Sequence, residues 1–254
     1  MNTQGKRIDF NCDLGEGCGD DAAILPLVSS ANIACGGHAG DEATMRATLR
    51  LCRQFGVAAG AHPSFEDREH FGRRAMPLGS DVIATMVHTQ LALLARIAAE
   101  EGMRLSHLKP HGALYNVAAD DREVADAIAA TVAAFDPSLV LFGLSGSALT
   151  EAGEAHGLHV AHEVFAERGY DHRGRLLPRG TPGAVIESLD QAIAQVHRLA
   201  TRGEVVADDG FVVPLRADTL CLHGDRHEAA AFARAVRDAL EGDGIAILPV
   251  GSKA

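Results

Sequence analysis

Lys109-Pro110-His111-Gly112 sets an ammonium and an imidazole on either side of a proline. Proline removes a backbone donor and pushes the residue before it into extended backbone, and glycine lets the chain turn or a ligand approach. The stretch reads as the end of a strand, Leu105 to Lys109, handing a cation and a proton carrier to a loop through Tyr115 and Asn116. The arrangement recurs along the chain. Asp13 and Glu16 follow the apolar run Ile8 to Cys12, His38 and Asp41 follow Ser30 to Ala34, and His62 follows Val57 to Ala61. Glu163 follows Leu158 to His162, and His223 and Asp225 follow Asp218 to Leu222. A single such histidine is ordinarily structural. Packing would favour apolar residues at so many strand ends, so the repetition predicts a functional cluster.

Two chemistries fit these residue types. One is a metal-assisted hydrolase, with Asp13, His62 and His111 (or His223) as ligands of a divalent metal and a metal-bound water as nucleophile. The other is metal-free, with Asp13 as general base and Lys109 and His111 holding developing negative charge. No H-E-x-x-H ligand pair is present to decide between them. Arg73 and Arg74, in Phe71-Gly72-Arg73-Arg74, have the fork geometry to grip a carboxylate or phosphate.

The elements that must carry these residues alternate. Seven short apolar strands (the six named and Leu139 to Gly143) are separated by segments with helical periodicity, and Ile245 to Leu248 is an eighth strand or a closing segment. Asp41 caps a helix carrying Met45, Leu49 and Cys52 that stops at Gly56; others run from Asp81 to Glu101, from the Asp121 cap, and from Ser147 to His156. A helix is expected from Thr181-Pro182 with Val185, Leu189, Ile193, Val196 and Ala200 as its stripe, and a last one buries Phe232, Val236 and Leu240. Alternation of this kind gives a parallel sheet with right-handed crossovers. With no linker or shift in composition, the expectation is an α/β fold: a single-domain (β/α) barrel of seven or eight parallel strands over residues 1–254, with every strand's C-terminal end on one face. The open doubly wound sheet is the runner-up, but G-x-G-x-x-G is missing from the first β/α turn. A P-loop is also absent, so any use of ATP goes without that motif or through a partner.

Composition narrows the classes further. A formal charge of −11 with no basic stripe argues against nucleic acid as a partner. No apolar segment follows a basic start, so no signal peptide is expected, and no run approaches the roughly 18 apolar residues of a membrane span. Five cysteines without a C-x-x-C pair suit reduced thiols in the cytoplasm, with Cys12, Cys35 and Cys221 as buried small hydrophobes.

Several blocks taken together resemble the lactam-utilisation (LamB/YcsF) family, which supplies one of the three subunits of prokaryotic 5-oxoprolinase. They are Asn11-Cys12-Asp13-Leu14-Gly15-Glu16-Gly17, Ser29 to Gly36, His38-Ala39-Gly40-Asp41 and Gly60-Ala61-His62-Pro63-Ser64, followed by Phe71 to Arg74, Lys109 to Asn116, Glu163-Val164-Phe165-Ala166 and His223-Gly224-Asp225. They span nearly the whole chain in order. Gly37 stands where the family usually has an aromatic residue, and Glu167 where it usually has Asp. The resemblance implies a barrel related to the polysaccharide deacetylases. It also implies ATP-dependent opening of 5-oxo-L-proline to L-glutamate with release of ADP and phosphate, and assembly with partner subunits B and C, which would hold most of the ATP site. On this reading Asp13, Glu16, His62, Lys109 and His111 are the catalytic candidates. His38, Asp41, Arg73, Arg74, Tyr115, Asn116, Glu163, His223 and Asp225 are candidates for contact with the lactam. Competing expectations are a stand-alone metal-dependent amide hydrolase of the deacetylase type and a non-catalytic lactam-binding subunit.

Overall fold

The computed structural model describes residues 6–18, 20–224 and 228–252. Six parallel strands follow one another in the sheet in chain order: β1 (Arg7–Leu14), β2 (Ser30–Ala34), β3 (Ala58–His62), β4 (His107–Leu108), β5 (Val140–Leu144) and β6 (His159–Phe165). An antiparallel hairpin, β7 (Glu204–Val206) with β8 (Val212–Pro214), stands outside that sheet. β9 (Thr219–His223) then pairs with both β6 and β1 and closes a seven-stranded parallel barrel. β10 (Ala246–Ile247) meets only Arg7 and Ile8 of β1, so the last apolar run is a closing segment rather than an eighth stave. The chain is one (β/α) barrel, as the alternation predicts.

The helices pack around this barrel: α1 (Asp21–Ile24), α2 (Glu42–Phe55), α3 (Ser80–Glu100), α4 (Gly112–Asp120), α5 (Arg122–Phe135), α6 (Ala148–Ala155), α7 (Leu189–Arg202) and α8 (Ala229–Gly242). Their ends follow local chemistry. Asp41 and Thr44 form a reciprocal capping box on α2, which ends at Gly56 with φ +70°; Asp121 caps α5 and Ser147 caps α6. α3 has the length expected from Asp81 to Glu101, and by length and composition it is apolar enough to cross a membrane, although His88, Thr89 and Gln90 interrupt the apolar run. Its Ile83, Val87, Leu91, Leu94 and Ile97 face is buried in the core.

Two expectations fail locally. The helix expected from Thr181-Pro182 begins only at Leu189, where the Ser188 hydroxyl accepts from the Gln191 amide. Before it, Gly183 takes φ +78°, Val185 bridges to Arg168, and the Ile186 amide donates to the Glu167 carbonyl at 2.8 Å. Residues 181–188 are thus a strap tied to the segment after β6. The loop expected beyond Pro110 is a helix, α4, from Gly112 onward. Gly112 has φ +57°, and a Cβ there would lie 2.6 Å from the Gly72 carbonyl oxygen; through this approach the Ala113 amide donates to Gly72 at 2.9 Å.

The outer shell of the barrel is aliphatic, but much of its interior is polar. Asp9, Asn11 and Asp13 alternate along β1 and point across the lumen. β3 contributes Gly60, where a Cβ would stand 2.1 Å from His107 Nε2, so the strand leaves its place in the lumen to the neighbouring imidazole.

Candidate active site

The register brings the strand ends together. Asp13 pairs across the sheet with Asn32 on one side and His223 on the other, and Ala34 lies opposite His62. Lys109, just past β4, reaches back into the barrel, where its Nζ lies 2.9 Å from Asp13 Oδ1, 2.9 Å from Glu163 Oε1 and 3.0 Å from Cys221 Sγ. Asn32 donates to the same Asp13 oxygen at 2.8 Å and to Asn11 Oδ1 at 2.7 Å. His107 Nε2 donates to Asn32 Oδ1 at 2.8 Å, which fixes which way that amide faces. Asn11 donates to Glu163 and Thr219, Thr219 to Asp9, and Asp9 also accepts from Ser29 and Ser30. The ammonium therefore sits on a hydrogen-bonded polar column.

Charge decides the protonation states. Burial alone would raise the Asp13 carboxyl, but His62 and Lys109 outweigh it and hold it well below the usual carboxylate range. Burial alone would strip Lys109 of its proton, but Asp13, Cys221 and Glu163 push its pKa well above the ordinary lysine value. Burial raises Asp9 to about 6 and lowers His107 to about 3.

A second group lies beside the first. His62 Nε2 is 3.3 Å from Asp13 Oδ2 and 2.9 Å from His111 Nδ1. His38 stacks flat on His111, with ring centres 3.6 Å apart and planes within 2°, and its Nε2 lies 3.0 Å from Glu16 Oε1. Burial lowers His38 to about 3, so the ring is neutral and donates to Glu16. His111 is held well below the usual histidine value by burial and by the His62 and His38 rings. Donor atoms of Glu16, His38, His62 and His111 lie within 4.8 Å of one another, as do those of Asp13, Cys221 and His223; these are the groups among the described residues that fit a metal ion.

A cavity of about 520 Å³ opens onto this end of the barrel, lined by Asp13, His62, Lys109, His111 and His223 and by Tyr115, Asn116 and Phe165 of the surrounding wall. Arg73, Arg168, Arg175 and Arg179 line it too, a concentration of positive charge in an acidic protein. The His223 Nδ1 contacts the buried Glu167 carboxylate, while its Nε2 stands 4.0 Å from Asp13 Oδ2.

Most of the residues picked out in the sequence converge. Asp13, His62, Lys109, His111 and His223 line the cavity, Glu163 grips Lys109 from beneath, Glu16 and His38 back His111, and Tyr115, Asn116 and Arg73 form the wall. Asp41 is not among the lining residues: it is exposed and spends its side chain on the α2 cap. Arg74 is exposed and outside the lining, its neighbour Arg73 taking the inward place. Asp225 lies outside the described residues. Cys221 is buried as expected, yet its sulfur contacts an ammonium and is no mere space-filler. Asn11, Asn32, His107, Glu167, Arg168, Arg175 and Arg179 were not among the candidates. The signal for the first was present: Asp9, Asn11 and Asp13 repeat with the period of a strand.

Among solved structures, the lactam utilization protein from Thermus thermophilus is 44% identical, with a TM-score of 0.89 over 95% of this chain and 99% of that one. A putative cellobiose-phosphate cleavage protein from Enterococcus faecalis (12% identity, TM-score 0.57, 96% and 97% covered) shares the barrel fold. The peptidoglycan deacetylase PdaC from Bacillus subtilis (13%, 0.52, 98% and 90%) shares it as well. The LamB/YcsF family pattern matches residues 8–254, and with 44% identity to a lactam utilization protein across almost its whole length, this chain belongs to the LamB/YcsF family.

Proposed function

We propose that this chain is the ring-opening subunit of an ATP-dependent 5-oxoprolinase, converting 5-oxo-L-proline to L-glutamate with partner subunits B and C in the cytoplasm. The observation that carries the reading is the buried Lys109 ammonium, held between Asp13 and Glu163 at the floor of a cavity whose outer wall bears arginines. A lactam is an unreactive amide with a poor leaving group. Transfer of the ATP γ-phosphoryl to its oxygen makes the ring carbon electrophilic and places anionic oxygens where cations are needed. The cavity lies in the usual volume range for small-ligand sites, about 300–1,000 Å³, and exceeds a five-membered ring, leaving room for the phosphoryl group. No P-loop is present, and ATP binding is assigned mainly to the partners.

In this scheme Lys109 steadies the charge on the activated oxygen, because the ring nitrogens of His62 and His111 are spent on the Lys109 and Phe71 carbonyls and on each other, and Arg73 holds the substrate carboxylate. Asp13 is ionised and tied to a cation, which makes it a weak base. His223 is the better one, because Glu167 orients its Nδ1 and leaves Nε2 for a water, with Asp13 close enough to stabilise the imidazolium. The water adds to the ring carbon and gives its proton to His223. The C–N bond then breaks, the nitrogen takes a proton, and the acyl phosphate so formed loses phosphate to water.

The test is glutamate release from 5-oxoproline plus ATP by this chain alone and with candidate B and C subunits, with folded His223→Gln as control. ATP-dependent glutamate that needs all three chains and falls at least about 100-fold in the control supports the proposal. Lactam or amide hydrolysis by the isolated chain without ATP would instead mark a stand-alone amide hydrolase.

A further inference from the structure

His62 Nδ1 lies 2.8 Å from the Lys109 carbonyl oxygen, and His111 Nε2 lies 2.9 Å from the Phe71 carbonyl oxygen. A carbonyl only accepts, so each of those nitrogens carries a proton. The other two nitrogens, His62 Nε2 and His111 Nδ1, face each other at 2.9 Å. With each ring's first N–H spent on a carbonyl, a cation, either a shared proton or a metal ion, must stand between them.

Glu16 supplies an anionic oxygen to the same place: its Oε1 is 3.6 Å from His111 Nδ1, and the three donor atoms lie within 4.8 Å of one another. Ligand bonds of about 2.0–2.2 Å in tetrahedral geometry put neighbouring donors about 3.3 Å apart, between the two spacings seen here. Each of the three already has the outer partner that metal ligands require. The Lys109 carbonyl holds His62, the Phe71 carbonyl holds His111, and His38 donates to Glu16. His38 itself is not a ligand in this arrangement, because it stacks flat on His111 and two parallel rings cannot aim their lone pairs at one ion. Asp13 has Oδ1 committed to Lys109 and Asn32 and borders the space only through Oδ2, 3.3 Å from His62 Nε2.

We propose that Glu16, His62 and His111 form a divalent-metal site with a two-histidine, one-carboxylate ligand set suited to zinc, positioned by His38 and open toward the cavity that His62, His111 and Asp13 line. The site is independent of the lactam reading, since it rests on donor spacing and on the carbonyl and imidazole partners of the ligands.

The experiment uses the full chain, stripped with chelator and titrated with Zn²⁺ or Co²⁺ without lactam or ATP. The expected result is one equivalent bound, a rise in Tm, and for cobalt the visible bands of a four- or five-coordinate ion. His62→Ala and His111→Ala abolish the bands, and His38→Ala weakens affinity about 10- to 100-fold. His223→Ala retains the equivalent, which separates this site from the Asp13–Cys221–His223 group. A wild-type chain that takes up no metal overturns the proposal, leaving a proton shared between the imidazoles. Uptake that survives both His62→Ala and His111→Ala, or that follows His223, overturns it as well.

Discussion

Taking a lysine ammonium out of water costs several kcal/mol, and Lys109 recovers this only because Asp13 and Glu163 both stand 2.9 Å away. The arrangement works in both directions, since each carboxylate is tolerable only beside the ammonium. Lys109→Met keeps the length of the side chain and removes the charge. It should lower unfolding stability by roughly 3–5 kcal/mol in urea titrations, and adding Asp13→Asn should recover part of that loss. The pair His223–Glu167 gives a second prediction, which rests on the proposed ring opening. Glu167 orients the His223 ring through Nδ1. Glu167→Gln should therefore cut kcat by about 10- to 100-fold, with KM little changed. An unchanged kcat would mean that His223 is not the base.

At the scale of elements, the barrel works because its strands leave lumen space to one another's polar side chains. β3 is the sharpest case: Gly60 stands where His107 crosses from β4 toward Asn32. Gly60→Ala forces that ring aside and should cost about 1–3 kcal/mol, read as a fall in Tm. His107→Ala in the same chain should make the two losses clearly less than additive, because the clash is with that one ring. The alternation of strands and helices, the strand-end histidines and the caps at Asp41, Asp121 and Ser147 were legible in the sequence because each depends on residues near one another in the chain. The strap at 181–188 was not. Its Pro and apolar spacing match a helix start, and only pairing with Arg168 and Glu167, more than a dozen residues away, overrides that preference. The pairing of His62 with His111, and of His38 with Glu16, was likewise illegible, since it depends on how far three loops fold back over the barrel mouth.

For the molecule as a whole, a polar barrel interior ties stability to pH with competing signs. His38 and His107 have folded pKa values of about 3 against an ordinary 6.5, both set first by burial. A depressed pKa gives stability that is present above 6.5 and is lost as pH falls from 6.5 toward 3. Asp9, raised by burial to about 6 from 3.8, acts in the opposite sense: its contribution is fully present below 3.8 and is lost as pH rises through 6. Each group changes stability by at most about 1.4 kcal/mol per pH unit across its window. Between pH 6.5 and 5 the two histidines together lose about 3 kcal/mol, while Asp9 returns about 1 kcal/mol. The histidines win, so these groups should lower the unfolding free energy by about 2 kcal/mol from pH 6.5 to 5 in urea titrations. Asp9→Asn removes the opposing contribution and should make that fall steeper, whatever it does to stability at neutral pH. A wild-type profile that stays flat over this range would show that the buried imidazoles already carry protons, and would place a positive charge where the structure holds neutral rings.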